Sequence, residues 1–303
     1  MPVELDGRPW FWQFSPYGYF NEHGICVNRE HTPMRVDRAT LVELLDFVDQ
    51  FPGYFLGCNA ALPRIGGSVL AHDHFQGGGE TLPMQVAPAL AEMRVPGVED
   101  LVVEVLDWPA SAVRLVSRSR EAIVEAGERL RAGWCAYRDP ELGIEPTGPD
   151  GAVQSSVSPS VRVTDRGYEM CVILRNNAVS DEYPLGVFHA HPEYFFIKQE
   201  PIGLIEAQGL FVLPGRLVSQ LDALEEAVLR GELPPDLEAF RLSYDEVREA
   251  LAGETPDAVR ARVREAVRAE VASICRRILG NVAVFPSPEA LIAFLESLGW
   301  HLA

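Results

Sequence analysis

Two β-prone runs, Ser160–Val163 and Tyr168–Leu174, meet at a four-residue turn, Thr164–Gly167, and this junction constrains the fold more than any other stretch of the chain. Strands joined by so short a turn run antiparallel, because a parallel crossover needs a dozen or more residues. The first half extends the pattern. Aromatic-rich Trp10–Phe14 and Tyr17–Phe20, then Gly24–Asn28, read as strands, as do Tyr54–Leu56, Ser68–Ala71, Leu101–Leu106 and Ala112–Val116. A helix after Asp37 carries Leu41, Leu44, Leu45 and Val48 at i, i+3, i+4 and i+7, and a second, from Arg120 to Tyr137, aligns Ile123, Leu130, Trp134 and Tyr137.

The C-terminal third reads as helical. Arg216–Arg230 ends at Gly231, and Ser243 with Glu246 suggests a capping box. Thr255-Pro256 and Ser287-Pro288 suggest two further starts, and Gly280 and Gly299 suggest stops. Asp139–Asp150, rich in proline, glycine and acid, reads as a linker between residues 1–140 and 151–303. The class is α+β with antiparallel sheets and a helical C-terminal region.

Charge and cysteine usage narrow the function. A net charge of −18 speaks against a non-specific nucleic-acid binder, which needs basic surface to displace counterions. It also requires any phosphate site to be built locally. No run of 18 apolar residues predicts a membrane span, and the acidic opening MPVELDGRPWFW is unlike a secretory signal. Five scattered cysteines without a CxxC pair predict a reduced, cytoplasmic chain. Lys198 is the only lysine, so its compact ammonium is a candidate phosphate contact, with a plain surface charge as the alternative.

The chemistry concentrates in His72-Asp73-His74-Phe75-Gln76, followed by three glycines. In a strand, residues two apart share a face, so His72, His74 and Gln76 would form one row around a phosphoryl group, and the glycines would let backbone amides approach its oxygens. If His74 attacks the α-phosphorus of a nucleotide sugar, the leaving sugar phosphate has a second pKa of about 6 and departs without a proton. An amide at position 76 then suffices as a hydrogen-bond donor, and it cannot activate water. On spacing alone, the two histidines read equally well as a structural metal site or as satisfied polar residues.

HxHxQ after GGSVLA resembles the motif of galactose-1-phosphate uridylyltransferases in the histidine-triad superfamily. The blocks YFNEHGICVNREHTPMRVDRATLVELLDF, GGSVLAHDHFQGG, ILRNNAVSDEYPLGVFHAH and IKQEPIGLIEAQGLFVLPGRL are similar to the class II, bacterial form, in family order from Trp10 to about Leu217. The resemblance implies two histidine-triad-like halves and a ping-pong reaction. UDP-glucose uridylylates a histidine and releases glucose 1-phosphate, and galactose 1-phosphate then takes up the uridylyl group. Carried over by position, His74 resembles the nucleophile and Gln76 the phosphate-binding amide. Asn59 and Ser68 resemble nucleotide phosphate contacts, and Lys198 and Glu206 resemble substrate contacts. His31 and His72 resemble two ligands of a structural zinc. His189 and His191 match a second metal pair, for which a substrate contact or sheet polarity is an equal alternative. Arg175, Asn176 and Asn177 read as a polar run that turn chemistry also explains.

Two departures from the family shape the expectations. The cysteine pair of the zinc site lies upstream of the matching region in that family, and this sequence starts as though a leading segment were absent, so weak zinc binding and poor catalysis are expected. Phe195 and Phe196 stand where the family has two histidines. Unpaired sheet edges lead us to expect self-association, with a homodimer as the simplest form. Two other functions stay open: a dinucleotide phosphorylase or other histidine-triad nucleotidyl enzyme, and a degenerate chain that only binds nucleotide sugars.

Overall fold

The computed structural model describes residues 1–66 and 69–303. Contacts divide them into two compact units. The first holds Met1–His189, Pro201–Leu210 and Val282–Ala303; the second holds Ala190–Glu200 and Phe211–Asn281.

The first unit is built on one sheet of eleven strands among the described residues. They are β1 (Pro2–Leu5), β2 (Arg8–Phe14), β3 (Gly24–Asn28), β4 (Phe55–Gly57), β5 (His74–Gly78), β6 (Ala89–Arg94), β7 (Leu101–Leu106), β8 (Ala112–Ser117), β9 (Ser155–Thr164), β10 (Gly167–Asn176) and β11 (His301–Leu302). Their order is β1-β2-β3-β5-β4-β9-β10-β8-β7-β6-β11, with antiparallel pairing throughout. The hairpin expected around the Thr164–Gly167 turn is therefore the centre of the sheet, and Thr164 pairs with Gly167. Strands on both sides of the 139–150 segment enter this one sheet. That segment folds into turns with the isolated bridges Asp139↔Ile144 and Thr147↔Val153.

One face of the sheet carries the apolar core. Helix α1 (Arg38–Gln50) starts at Asp37, whose carboxylate accepts from the Thr40 N–H at 3.1 Å, and it buries Leu41, Leu44, Leu45, Phe47 and Val48. Helix α2 (Arg120–Ala136) buries Ile123, Leu130 and Trp134, as its stripe predicts, and the Trp134 indole N–H is shared between the Ser156 and Arg175 carbonyls. Trp10 is fully buried on this face and stacks on Phe75, with ring centroids 4.7 Å apart. The short helix α3 (Leu204–Ala207) also belongs to this unit. Arg114, Glu104, Arg162 and Glu169 form a hydrogen-bonded ionic group between neighbouring strands of the same sheet, and Arg114 donates to Glu104 at 2.6 Å.

The second unit is helical: α4 (Leu217–Arg230), α5 (Arg241–Ala250) and most of α6 (Pro256–Val282). Helix α7 (Pro288–Ser297) returns to the first unit, with the Ser287 hydroxyl accepting from the Ala290 N–H. Gly231 ends α4 in the left-handed conformation expected of it.

Several local expectations are corrected. Tyr17–Phe20 is a turn, because Pro16 and Gly18 (φ +52°) bend the chain, and its aromatics stack on one another instead of pairing. Residues 69–71 are not a strand. Sheet polarity does not account for His189 and His191, because both lie in irregular chain and His191 precedes a 3₁₀ turn at Pro192–Tyr194. Ser243 does not cap a helix. The helical run begins at Pro235 as a 3₁₀ turn, which leaves Ser243 buried inside α5. Gly280 does not stop α6, because burial of Ile278 and Val282 outweighs the roughly 1 kcal/mol that a glycine costs in a helix.

Candidate active site

Strand β5 begins at His74, so His72 sits in a bend just before it rather than on the strand itself. The alternation nevertheless extends through the bend. His72, His74 and Gln76 are half-exposed, while Asp73 and Phe75 between them, and Gly77 after them, are buried. The predicted row therefore exists. Its backing is Phe75 against Trp10, and the buried Asp73 carboxyl is pushed up to about 6 mainly by burial.

Hydrogen bonds fix the protons of this row. The His74 Nδ1 lies 2.8 Å from the His72 carbonyl oxygen, which can only accept. Nδ1 therefore carries the proton, and the Nε2 of the neutral ring keeps its lone pair. His72 is held in the opposite sense. Its Nε2 donates to the Asn28 carbonyl at 2.8 Å, which leaves its Nδ1 as the acceptor facing His31 Nδ1 at 3.1 Å.

Asn59 follows β4 two residues after Gly57, which pairs with Gln76. Its Oδ1 accepts from the Leu204 N–H at 2.9 Å, which fixes the orientation of the amide and turns its NH₂ away from Leu204. Gly66 and Gly203 let this segment close. A Cβ on Gly66 would meet the Gly203 Cα at 2.8 Å, and Gly66 has φ +89°. The Glu206 carboxylate accepts from the Gly203 N–H at 3.1 Å. Arg175, fully buried on β10, donates to the Ile202 carbonyl; burial lowers its pKa to about 10, and Glu206 opposes that shift. Asn176 and Asn177 are both buried, and turn chemistry accounts for part of this run: the Asn176 Oδ1 accepts from the Ala178 N–H at 2.8 Å as in an Asx turn, while its NH₂ donates to Ser155 and Asn177 donates to the Pro63 carbonyl. Ser68 lies outside the described residues.

The glycines after Gln76 act differently from the expected oxyanion cradle. A Cβ on Gly77 would collide with the Phe55 carbonyl oxygen, and one on Gly78 would lie 2.8 Å from both the Glu22 carbonyl oxygen and the Phe20 ring. Close packing of neighbouring chain is what requires glycine here.

Lys198 and His191 belong to the second unit, and His189 to the first. Lys198 is buried, not a surface charge; its ammonium donates to the Val212 carbonyl at 3.0 Å and lies 3.7 Å from Glu200. His191 Nδ1 lies 3.1 Å from the Asn281 amide nitrogen, and His189 is buried. Among the described residues, no group of three or more His, Cys, Asp or Glu side chains is arranged to hold a metal ion. Cys26 and Cys58 do not extend the His31–His72 pair into such a group. Both are fully buried, and burial pushes Cys26 up to about 12 and Cys58 well above its usual range, so both remain thiols. Cys171 is pushed up to about 12 for the same reason. In the folded protein at pH 8, a maleimide should therefore label half-buried Cys135 and Cys275 first, and Cys26, Cys58 and Cys171 only after denaturation. Peptide mapping checks the order, and prompt labelling of Cys26 would contradict the burial.

Sequence reasoning passed over His23. It is buried beside the row, with its Nδ1 accepting from the Tyr19 N–H at 3.3 Å. No local signal marked it, because its place beside Gln76 follows from the register Ile25↔Gln76, which only the folded sheet sets.

With Nδ1 tied to the His72 carbonyl, the neutral His74 ring keeps its lone pair on Nε2, the protonation state that a histidine nucleophile requires. The chain is 59% identical over 301 residues to a galactose-1-phosphate uridylyltransferase of Bifidobacterium longum, covering 99% of this chain and 58% of that protein. It is 35% identical over 300 residues to the protein of the same name from Ligilactobacillus salivarius, covering 98% of this chain and 59% of the relative. A third, from Caldanaerobacter subterraneus, is 42% identical over 236 residues, covering 77% and 45%. By sequence, the chain is similar to galactose-1-phosphate uridylyltransferases, and it spans about half to three-fifths of the length of these relatives. No family model matches the chain, and no solved structure matches it significantly. No helix among the described residues is long and apolar enough to cross a membrane.

Proposed function

We propose that this chain carries the nucleophile of a uridylyl transfer between UDP-glucose and galactose 1-phosphate. The observation that carries the reading is the tautomer imposed on His74, whose Nδ1–H is held by the His72 carbonyl. The Nε2 lone pair attacks the α-phosphorus of UDP-glucose, and the bond to the bridging oxygen breaks. The electron pair leaves with glucose 1-phosphate, which needs no proton. The positive charge that develops on the ring is stabilised at Nδ1–H by the His72 carbonyl, and Gln76 and Asn59 supply NH₂ donors to the phosphoryl oxygens. Galactose 1-phosphate then attacks the uridylyl-histidine by the reverse path and forms UDP-galactose. Five scattered cysteines without a CxxC pair suit a reducing, cytoplasmic setting.

The test is product analysis. UDP-glucose with galactose 1-phosphate should yield UDP-galactose and glucose 1-phosphate. Phosphorolysis of a dinucleotide without this exchange would favour a phosphorylase instead, and uridine nucleotide binding without turnover would favour a binding chain.

His31 and His72 are the residues that would take part in holding a zinc ion. Two ligands on one tetrahedral zinc sit about 3.3 Å apart, close to the 3.1 Å between their Nδ1 atoms. They supply half of a four-ligand set, however, so the described residues do not make a closed structural site, and no step is assigned to a metal. The chain should therefore lose zinc readily to a weak chelator. Metal analysis after dialysis checks this, and stoichiometric zinc that His72→Ala abolishes would reverse the reading.

A further inference from the structure

The amide of Gln76 can point either way, and only one orientation presents NH₂ donors to a phosphoryl group. What decides the orientation lies one strand away. The register Ile25↔Gln76 and Gly24↔Gly77 places His23 level with Gly78, diagonal to Gln76 and on the same face. Gly78 leaves this position without a side chain, and a Cβ there would meet Phe20 and the Glu22 carbonyl. The His23 ring is 97% buried and clamped. Tyr19 stacks on it with centroids 5.3 Å apart, Phe20 packs at 4.4 Å, and its backbone carbonyl accepts from the Ser15 N–H.

The proton on this ring is also determined. Nδ1 accepts from the Tyr19 N–H, so the neutral ring carries its hydrogen on Nε2. Nε2 is buried and has no partner that meets hydrogen-bond geometry, a costly state for a donor. Burial lowers the His23 pKa and keeps the ring neutral, and the neighbouring Gln76 side chain acts in the opposite sense, as an acceptor facing the ring would.

We propose that His23 is a positioning residue: its neutral imidazole donates Nε2–H to the Gln76 carbonyl oxygen and fixes the amide with its NH₂ toward the group carried by His74. This rests on the uridylyl-transfer reading for its catalytic consequence, but not for the pairing itself. A flipped Gln76 would turn its carbonyl oxygen toward phosphoryl oxygens and repel them as charge develops. Loss of the His23 donor should therefore lower kcat more than it raises KM for UDP-glucose.

Two measurements test it. In ¹⁵N-labelled wild-type protein, the His23 Nε2–H resonance should be slow to exchange and should shift in Gln76→Met, which removes the acceptor at similar volume. In His23→Phe, which keeps an aromatic ring between Tyr19 and Phe20, formation of the uridylyl adduct should slow roughly 10- to 100-fold with KM changed less than threefold, as expected for a misaligned donor. His23→Gln, which restores an N–H donor, should recover part of the rate. An Nε2–H signal indifferent to Gln76→Met would overturn the pairing whether or not His23→Phe folds. Equal kcat in wild type and His23→Phe would overturn the positioning role. A coupled Nε2–H signal in a wild-type chain that never transfers uridylyl groups would support the pairing and sink the proposed function instead.

Discussion

Replacing His74 with alanine is expected to abolish the uridylylated form of this chain and to lower exchange by roughly 10⁴-fold or more, the scale seen when a covalent nucleophile is removed. No neighbouring group can take its place. His72 has Nε2 committed to the Asn28 carbonyl and Nδ1 facing His31, and Gln76 is an amide without nucleophilic nitrogen. Incubation with labelled UDP-glucose and mass spectrometry of the peptide containing His74 will show the adduct. The acid-labile bond should be at Nε2, because Nδ1 is hydrogen-bonded to the His72 carbonyl. An adduct at Nδ1, or normal exchange in the alanine variant, would sink the mechanism.

The second large effect lies behind the site. Trp10→Ala is expected to destabilise the first unit by about 3–5 kcal/mol, the usual cost of truncating a fully buried tryptophan. Its ring stacks on Phe75, the residue between His74 and Gln76, so the cavity would open under the reactive row. Trp10→Phe should retain most of the stability by keeping an aromatic surface there. Urea unfolding followed by circular dichroism measures both variants. A loss below about 1 kcal/mol in Trp10→Ala would show that the sheet does not rely on this contact.

Much of this was legible along the chain because the signals are local. The Asp37 cap, the α2 stripe and the Thr164–Gly167 hairpin depend on residues a few positions apart, and each formed where it was read. The HxHxQ row was legible for the same reason, since alternation survives even where His72 leaves the strand. Readings failed where composition stood in for geometry. The aromatics of Tyr17–Phe20 suggested a strand, but Pro16 and Gly18 made a turn, and Gly280 suggested a stop that long-range burial overrode.

By itself, the sequence determined the antiparallel α+β class, the similarity to uridylyltransferases and the alternation that lines up His72, His74 and Gln76. Only the tertiary structure decided which nitrogen of His74 is free, because the partner is a carbonyl whose direction depends on the bend at His72. Tertiary structure also buried Lys198, placed His23 beside Gln76 and turned the glycines from an anion cradle into points of close chain approach. The physical reason is common to all four. Residue type and spacing specify what a side chain can donate or accept, whereas the proton it holds and the neighbour it meets depend on how the backbone bends and which segments the fold brings together.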